Sequence, residues 1–132
     1  MNDDELFDAC ENGDAPSLKQ LLQQNPGAIH MRTDDGDQPL HLACWQKAIG
    51  CVSLLLDAGA DVNSTGDNGK TPLHYALLEG DENSNEIVRL LLESGANAKM
   101  REGIAGKTPL DLAIEENHEV LEEAVLLLRE AM

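Results

Sequence analysis

A block of six residues that recurs at a nearly constant interval is the strongest constraint on what this chain can fold into. Gln38-Pro39-Leu40-His41-Leu42-Ala43 has a close copy that begins 33 residues later at Thr71, and another that begins a further 37 residues on at Thr108. A period of this length is typical of proteins in which each copy is one small unit that stacks on its neighbours. We therefore expect a linear array of similar units.

Each copy predicts two helices followed by a polar connection. Thr71 can cap a helix, and the proline after it suits the first turn, where a missing N–H has no consequence. Gly80 marks the end of this first helix. Val88, Leu91 and Leu92 share one face of a second helix by their i, i+3, i+4 spacing. A Gly-containing polar stretch then projects as a hairpin-like finger.

The order of these blocks resembles the ankyrin repeat along nearly the whole chain. The T-P-L-H-x-A block, the G-A-D-V-N-like block after the second helix and the closing Gly occur in that family's order. The resemblance implies an all-α ankyrin-repeat solenoid of four helix-turn-helix units with short hairpin fingers, and we expect the terminal units to have polar outer faces. It implies a single domain, 1–132, with repeats at about 2–33, 34–66, 67–103 and 104–132.

Charge and composition narrow the classes of function. The chain has 9 Lys and Arg against 25 Asp and Glu, a formal net charge of −16. Such a charge is poorly suited to phosphate backbones, so nucleic acid is not an expected partner. The sequence has no run of about 18 apolar residues that would span a membrane, and its acidic start does not resemble a leader. Three cysteines, an odd number, favour reduced thiols in a cytoplasmic protein.

Motifs for catalysis, metals and cofactors are incomplete. Gly-Lys-Thr tripeptides begin at Gly69 and Gly106 and imitate a phosphate loop, but its earlier glycine is missing from both. The segment that begins at Asp61 resembles a calcium loop, yet its twelfth position is Pro72 instead of a bidentate Glu. The sequence shows no Ser/His/Asp or Cys/His grouping. We expect no enzyme activity, no metal site and no cofactor.

The resemblance implies that a partner is bound on the concave side, by finger tips and by exposed residues of the first helices. The corresponding helix positions are Glu11, Asn12, Trp45, Gln46, Leu78, Glu79, Glu115 and Glu116. The finger positions are Asp34, Asp35, Asp37, Asp67, Asn68, Ile104 and Lys107. The resemblance also implies that His41 and His74 are structural and hydrogen-bond neighbouring finger bases.

Trp45, the single Trp of the chain, is predicted to point outward beside Leu78, with Glu11 and Glu115 above and below the pair. An aromatic anchor at the middle of a contact surface is typical of a binding hot spot. In the alternative interpretation, the indole folds down and covers the stack, and its role is only structural.

The leading hypothesis is a monomeric, non-enzymatic protein that binds one partner protein and inhibits or sequesters it. The small ankyrin inhibitors that this chain resembles include proteins that protect a cell against its own toxin or hydrolase. The acidity predicts a partner with a basic patch, because opposite potentials speed encounter. The alternative is an adaptor that joins two partner proteins.

Overall fold

A computed structural model describes residues 3–116 and 119–132 of the chain. These residues form α-helices and two short 3₁₀ turns, and none of them lies in a β-strand. The helices are α1 (Asp3–Glu11), α2 (Ala15–Gln24), α3 (Pro39–Trp45), α4 (Ile49–Asp57), α5 (Pro72–Leu77), α6 (Glu82–Glu93), α7 (Pro109–Glu116) and α8 (Glu122–Ala131). The 3₁₀ turns are Pro26–His30 and Asp67–Gly69.

The helices pack as four consecutive pairs that stack in chain order. Each odd-numbered helix contacts the helix that follows it, which gives the pairs α1–α2, α3–α4, α5–α6 and α7–α8. The first helices also contact one another in sequence, as do the second helices. The predicted all-α solenoid of helix-turn-helix units is therefore confirmed.

The first helices begin as the repeated block predicts. In repeat 3, Pro72 occupies the first turn and Thr71 forms a capping box with His74. In repeat 4, Asp111 takes the place of the histidine: its carboxylate accepts from the Thr108 N–H at 3.0 Å, while the Asp111 N–H donates to the Thr108 hydroxyl at 3.2 Å. These bonds satisfy N–H groups that a helix start leaves without an intrahelical acceptor.

The predicted fingers are tight backbone turns between repeats. Each is closed by one bond from an N–H to a carbonyl: Thr33 to Asp37 at 2.8 Å, Gly66 to Lys70 at 2.8 Å, and Glu102 to Lys107 at 2.9 Å. The fingers also contact each other, because the Gly103 N–H donates to the Asn68 carbonyl at 2.7 Å. A rigid row of finger tips follows from these bonds.

The apolar face predicted for the second helices forms the core. Val88 and Leu91 of α6 are fully buried, whereas Leu92 is only half-buried, so the core face is narrower than the sequence predicts. The three cysteines are buried free thiols, and burial raises the pKa of Cys10 to about 12.

Two expectations from the sequence are wrong in detail. Helix α5 ends at Leu77, and the left-handed residue of the following turn is Glu79, with φ of +49°, instead of Gly80. Gly80 is small because Leu121 of the next repeat packs on it, and a Cβ there would lie 3.0 Å from a Leu121 methyl. The polar outer face expected of the last repeat is also absent at Ile114, which is 44% exposed.

The described helices include none that is both long enough and apolar enough to cross a lipid bilayer.

Candidate functional site

A groove of about 530 Å³ opens on the side of the stack formed by the first helices and the fingers. Its apolar lining comes from two first helices and the turn after the second: Leu42, Trp45, Tyr75 and Leu78. Its polar lining is Glu11, Asp37, Gln46, Asp67 and Lys70. Three acidic side chains and one basic side chain thus surround an aromatic and aliphatic floor.

Trp45 is held at the last position of α3 by contacts on its ring. Its indole meets Tyr75 of the next repeat edge-on, with ring centroids 6.3 Å apart and an interplanar angle of 84°. The Lys47 ammonium lies 5.3 Å from the centroid of the Trp45 ring. The side chain is nevertheless 37% exposed, so part of the indole faces the groove. Trp45 therefore has both roles that the sequence left as alternatives: it packs on the stack, and it offers apolar surface.

Lys47 fastens repeat 2 to repeat 3 beneath Trp45. Its backbone is left-handed, with φ of +57°, which turns the side chain toward the next repeat. The ammonium donates to the carbonyls of Trp45 at 2.9 Å, Tyr75 at 3.2 Å and Leu78 at 2.8 Å. These carbonyls stand at the carboxyl ends of α3 and α5, where acceptors lack intrahelical donors and a cation is favoured. The lysine thus holds the two helix ends, and with them Trp45 and Leu78, at a fixed spacing.

The sequence predicts that Asp37 contacts a partner as an exposed finger residue, and the predicted exposure is wrong. The Asp37 side chain is only 8% exposed. Its Oδ1 accepts from the Tyr75 hydroxyl at 2.6 Å and from the Asp67 N–H at 2.9 Å. Burial, and then the Asp37 carboxylate, raise the pKa of Tyr75, which keeps this hydroxyl a donor. A Cβ on Gly66 would come within 2.3 Å of the same oxygen, so only glycine fits there.

The structural role predicted for the two repeat-motif histidines is confirmed. The Nε2–H of His41 donates to the Ser64 carbonyl and that of His74 to the Lys107 carbonyl, each at 2.8 Å. The Nδ1 atom of each ring accepts from the backbone N–H of the residue that caps its helix, which is Gln38 for His41 and Thr71 for His74. Burial is the main cause of the lowered pKa of both imidazoles. Each histidine therefore ties a first helix to the segment that leads into the next repeat.

The structure brings together only part of the predicted contact surface. Six predicted residues line the groove: Glu11, Asp37, Trp45, Gln46, Asp67 and Leu78. Asn12 lines a separate depression beside α2, and Asp34 lines another between α1 and the first finger. Asp35, Asn68 and Glu79 are exposed outside the groove lining. Glu116 is the last residue of α7, and its side chain is outside the described part of the structure.

The remaining predicted residues belong to the last finger and the helix behind it. Lys107 forms an ion pair with Glu115, so these two charges partly neutralise each other. Ile104 is 70% exposed at the finger tip. The Glu102 carboxylate organises the tip, because it accepts from the N–H groups of Ile104, Ala105 and Lys107 at 2.8 to 3.1 Å. These bonds lower the pKa of Glu102 to about 2.

Sequence reasoning missed Leu42, Lys70 and Tyr75 as groove residues. Two of them could have been noticed in the sequence. Leu42 and Tyr75 occupy the same position of successive repeated blocks, and the side chain at this position varies between the blocks. Lys70 gave no such signal, since lysine precedes the threonine of a helix entry in repeat 4 as well.

Comparison with known proteins bears on the first three repeats of the stack. A family model described as ankyrin repeats in three copies matches residues 6–102. The chain belongs to the ankyrin-repeat family. Its groove is formed by the first helices and fingers of ankyrin repeats, a fold whose established use is protein–protein interaction.

Among curated ankyrin-repeat proteins, the chain is 39% identical over 66% of its length to "Target of rapamycin complex 2 subunit AVO2" of Saccharomyces cerevisiae. It is 38% identical over 71% of its length to human "Neurogenic locus notch homolog protein 2", and 37% identical over 64% to human "Ankyrin repeat and SOCS box protein 6". The matched regions cover 20%, 4% and 21% of those proteins. The similarity therefore concerns their ankyrin repeats and a small part of their length.

Proposed function

We propose that this chain binds one partner protein through the groove around Trp45 and thereby inhibits or sequesters that partner. The observation that carries the proposal is Trp45 itself, an anchored indole that is 37% exposed in a groove lined by three carboxylates. An aromatic side chain that is already held in place loses little conformational entropy on binding, which favours it as an anchor. Inhibition of a cellular toxin or hydrolase is one form that this function takes.

The partner in this proposal presents a basic patch around an apolar residue. Glu11 and Asp67 line the groove beside Trp45, and the chain carries a net charge of −16. Such a field speeds encounter with a basic surface and slows encounter with an acidic one. The association rate should therefore fall as ionic strength rises from about 50 to about 500 mM, because salt screens these charges.

The proposal includes no catalytic step. Both ring nitrogens of His41 and His74 are engaged by backbone groups, and neither imidazole is available as a base. Burial raises the pKa of the cysteines, which disfavours the thiolate that a nucleophile requires. Three buried free thiols also suit a reducing compartment, and we propose the cytoplasm, with the unbound chain a monomer.

A capture experiment with three baits tests the proposal. Wild-type chain and Trp45→Ala are immobilised and exposed to lysate of the native cell, and Lys19→Ala serves as a control that replaces an exposed side chain of α2 outside the groove. We expect one dominant protein on the wild-type and control baits and at least about tenfold less of it on Trp45→Ala. The captured protein is then purified, and its activity should disappear as the chain is added to equimolar amount. Capture that is independent of Trp45, or full activity in the saturated complex, contradicts the proposal.

An adaptor that joins two proteins is the second candidate. It is favoured by a second exposed apolar surface on the last repeat, at Ile114 and Leu126. One relative is named as a subunit of a complex, and another carries a SOCS box in its name. Two captured proteins bound to one chain at the same time, with the activity of both retained, would favour this candidate over inhibition.

A further inference from the structure

We propose that the groove around Trp45 takes the side chain of one arginine of the partner, whose guanidinium donates to the Asp37 and Asp67 carboxylates. The inference rests on the proposed function, in which this groove binds the partner protein. A basic patch is attracted to the groove in general, whereas this arginine has one defined place in it. The observation behind it is an oxygen of Asp37 that has no donor.

Asp37 is a buried carboxylate of which one oxygen is occupied and the other is open. Oδ1 accepts from the Tyr75 hydroxyl at 2.6 Å and from the Asp67 N–H at 2.9 Å, and Oδ2 accepts from no described residue. Every fully buried side-chain oxygen or nitrogen of the described residues has a hydrogen-bond partner. Oδ2 therefore reaches solvent, and the space that Asp37 lines is the groove.

The burial of Asp37 makes this oxygen a strong acceptor for a cation. The side chain is only 8% exposed, so little water surrounds its charge. Hydrogen bonds between a charged donor and a carboxylate are stronger than neutral ones, and they gain further where the local dielectric is low. A cationic donor is thus favoured at Oδ2 over a neutral one.

Asp67 supplies a second carboxylate within reach of the same ligand. The bond from its N–H to Asp37 Oδ1 holds the backbone of the second finger beside the Asp37 carboxylate. The Asp67 side chain is half-buried and lines the groove, and no described residue donates a hydrogen bond to its carboxylate. Two carboxylates from neighbouring fingers therefore face one groove.

Two cations near these carboxylates are already bound to other groups. The Lys47 ammonium donates to three carbonyls at helix ends. The Arg32 guanidinium donates to the Gly36 carbonyl at 2.6 Å, the Thr65 carbonyl at 3.0 Å and the Ser64 hydroxyl at 3.1 Å. Neither of these printed bonds goes to a groove carboxylate, so both charges lie nearby without occupying the site.

Lys70 is the basic residue of the groove lining, and its charge is shared with the last finger. The Lys107 N–H is the main cause of the lowered pKa of Glu102, and the Lys70 ammonium contributes to it. The ion pairs of the described residues are those of Arg89 and Lys107, and neither includes Glu11 or another groove carboxylate. Three carboxylates against one lysine leave the groove an excess of negative charge.

The head group of the entering side chain distinguishes arginine from lysine. Both residues have an apolar stem, which packs on the surface formed by Leu42, Trp45 and Leu78. The guanidinium has five N–H groups in one plane and can donate to two carboxylates at once, whereas an ammonium is a point charge that is more strongly hydrated. Two carboxylates in a half-closed groove therefore favour arginine.

The test measures the binding of single capped amino acids to the full chain. The probe is Nα-acetyl-arginine amide. The citrulline derivative has the same shape without the charge, and the lysine derivative has the charge without the planar fork. A probe with one charge avoids the general attraction of a polybasic peptide to a chain of net charge −16.

Trp45 reports on the groove, because it is the single Trp of the chain. Its indole N–H signal is followed by NMR as each probe is added. We expect a saturable shift with the arginine probe. The dissociation constant should be at least about threefold higher for the lysine probe and at least about tenfold higher for the citrulline probe.

Matched variants locate the site. Asp37→Asn keeps one oxygen for Tyr75 and the Asp67 N–H and places an NH₂ group at the position of Oδ2, so it should raise the dissociation constant of the arginine probe at least about tenfold. Asp67→Asn should raise this constant about threefold. Asp57→Asn removes the same charge from the exposed end of α4, outside the groove, and should leave the constant unchanged.

The denaturant midpoint of each variant separates loss of the site from loss of the fold. If Asp37→Asn proves unstable, Asp67→Asn still tests the site, because no described bond depends on the Asp67 side chain. The arginine assignment is wrong if the Trp45 signal shows no saturable shift, if the citrulline or lysine probe binds as tightly, or if Asp67→Asn changes nothing.

The capture experiment keeps this inference apart from the proposed function. Capture of one protein that depends on Trp45, together with no arginine site, would contradict the inference alone. A saturable arginine site together with capture that is independent of Trp45 would support the site and contradict the proposed function.

Discussion

The middle of the stack and its last repeat use the same repeat positions in opposite ways. Leu77 of repeat 3 is 0% exposed, whereas Ile114, at the same position of repeat 4, is 44% exposed. The side chains have nearly equal volume and lie on equivalent helices, so the difference comes from the neighbour and not from the residue. In a stack of repeats, the presence of a following unit decides whether an apolar residue contributes to folding or is available for binding.

The largest expected effect is a difference in the loss of stability between the middle of the stack and its last repeat. Leu91→Ala should lower the free energy of unfolding by about 2–5 kcal/mol, because Leu91 is 0% exposed and lies between neighbouring repeats. Leu126→Ala removes the same side chain from the outer face, where it is 55% exposed, and should cost less than about 0.5 kcal/mol. Urea denaturation followed by circular dichroism measures both. Equal costs would show that the two helices do not differ in burial.

The next effect concerns the lysine that joins the two central repeats. Lys47→Met keeps the apolar stem and leaves three helix-end carbonyls without their donor. We expect a loss of about 2 kcal/mol, the range for hydrogen bonds to a charged group. Lys19→Met, on the exposed side of α2, is the matched control and should be near neutral. The measurement is the denaturant midpoint of each variant.

Lys47→Gly compares the hydrogen bonds of Lys47 with the strain in its backbone, because glycine adopts the left-handed conformation without strain. That relief is worth about 1 kcal/mol, which is less than the expected loss of the three bonds. The Gly variant also loses the buried apolar stem, because Lys47 is only 7% exposed, so it should be less stable than wild type in spite of this relief. A Gly variant more stable than wild type would show that backbone strain outweighs the bonds to the helix ends.

Trp45 contributes both to folding and to binding, since one part of its side chain is packed and another part is exposed. Trp45→Ala should weaken binding of the partner at least about tenfold, or roughly 1.4 kcal/mol, because it removes the anchor of the groove. It should also lower stability by about 1 kcal/mol, since Tyr75 and Lys47 lose their ring contact. Isothermal titration and thermal unfolding measure the two effects. A stability loss of several kcal/mol with unchanged affinity would make Trp45 a core residue only.

The smallest effect is confined to the last finger and depends on pH. Glu102 has a lowered pKa of about 2, so its contribution to stability is complete above its ordinary pKa of 4.5 and is lost as pH falls through about 2. Glu102→Gln lacks this titration. The stability difference between wild type and Glu102→Gln should therefore be constant from pH 7 to about 4.5 and shrink below it. Denaturant unfolding at several pH values measures it, and a difference that grows on acidification would contradict the assignment.

The helical solenoid could be predicted from the sequence because its determinants are local and repeated. Pro72 and Thr71 start a helix with groups that lie within one turn of each other, and the apolar spacing of Val88 and Leu91 defines a face without reference to the rest of the chain. The roles of His41 and His74 were implied by the resemblance to the ankyrin repeat, because both residues stand in the repeated block that carries it.

The groove could be predicted only in part, because its details depend on contacts between repeats. Asp37 resembles any other acidic finger residue in the sequence, yet it is buried by a bond to Tyr75, 38 residues away. The sequence pattern assigns no role to Lys47, and only the carbonyls of repeat 3 explain it. Leu92 and Gly80 differ from expectation because the neighbouring helix, not the local pattern, sets how much of each is covered.

The sequence by itself therefore determined the unit: two short helices, a finger, and the order in which copies follow one another. Tertiary structure decided which residues of each copy are exposed. The physical reason is that helix entry, periodicity and turn formation act over one or two turns of chain, whereas burial is a property of the packed neighbour. Ile114 and Leu77 obey the same pattern in the sequence, and only the stack makes one of them a surface and the other a core residue.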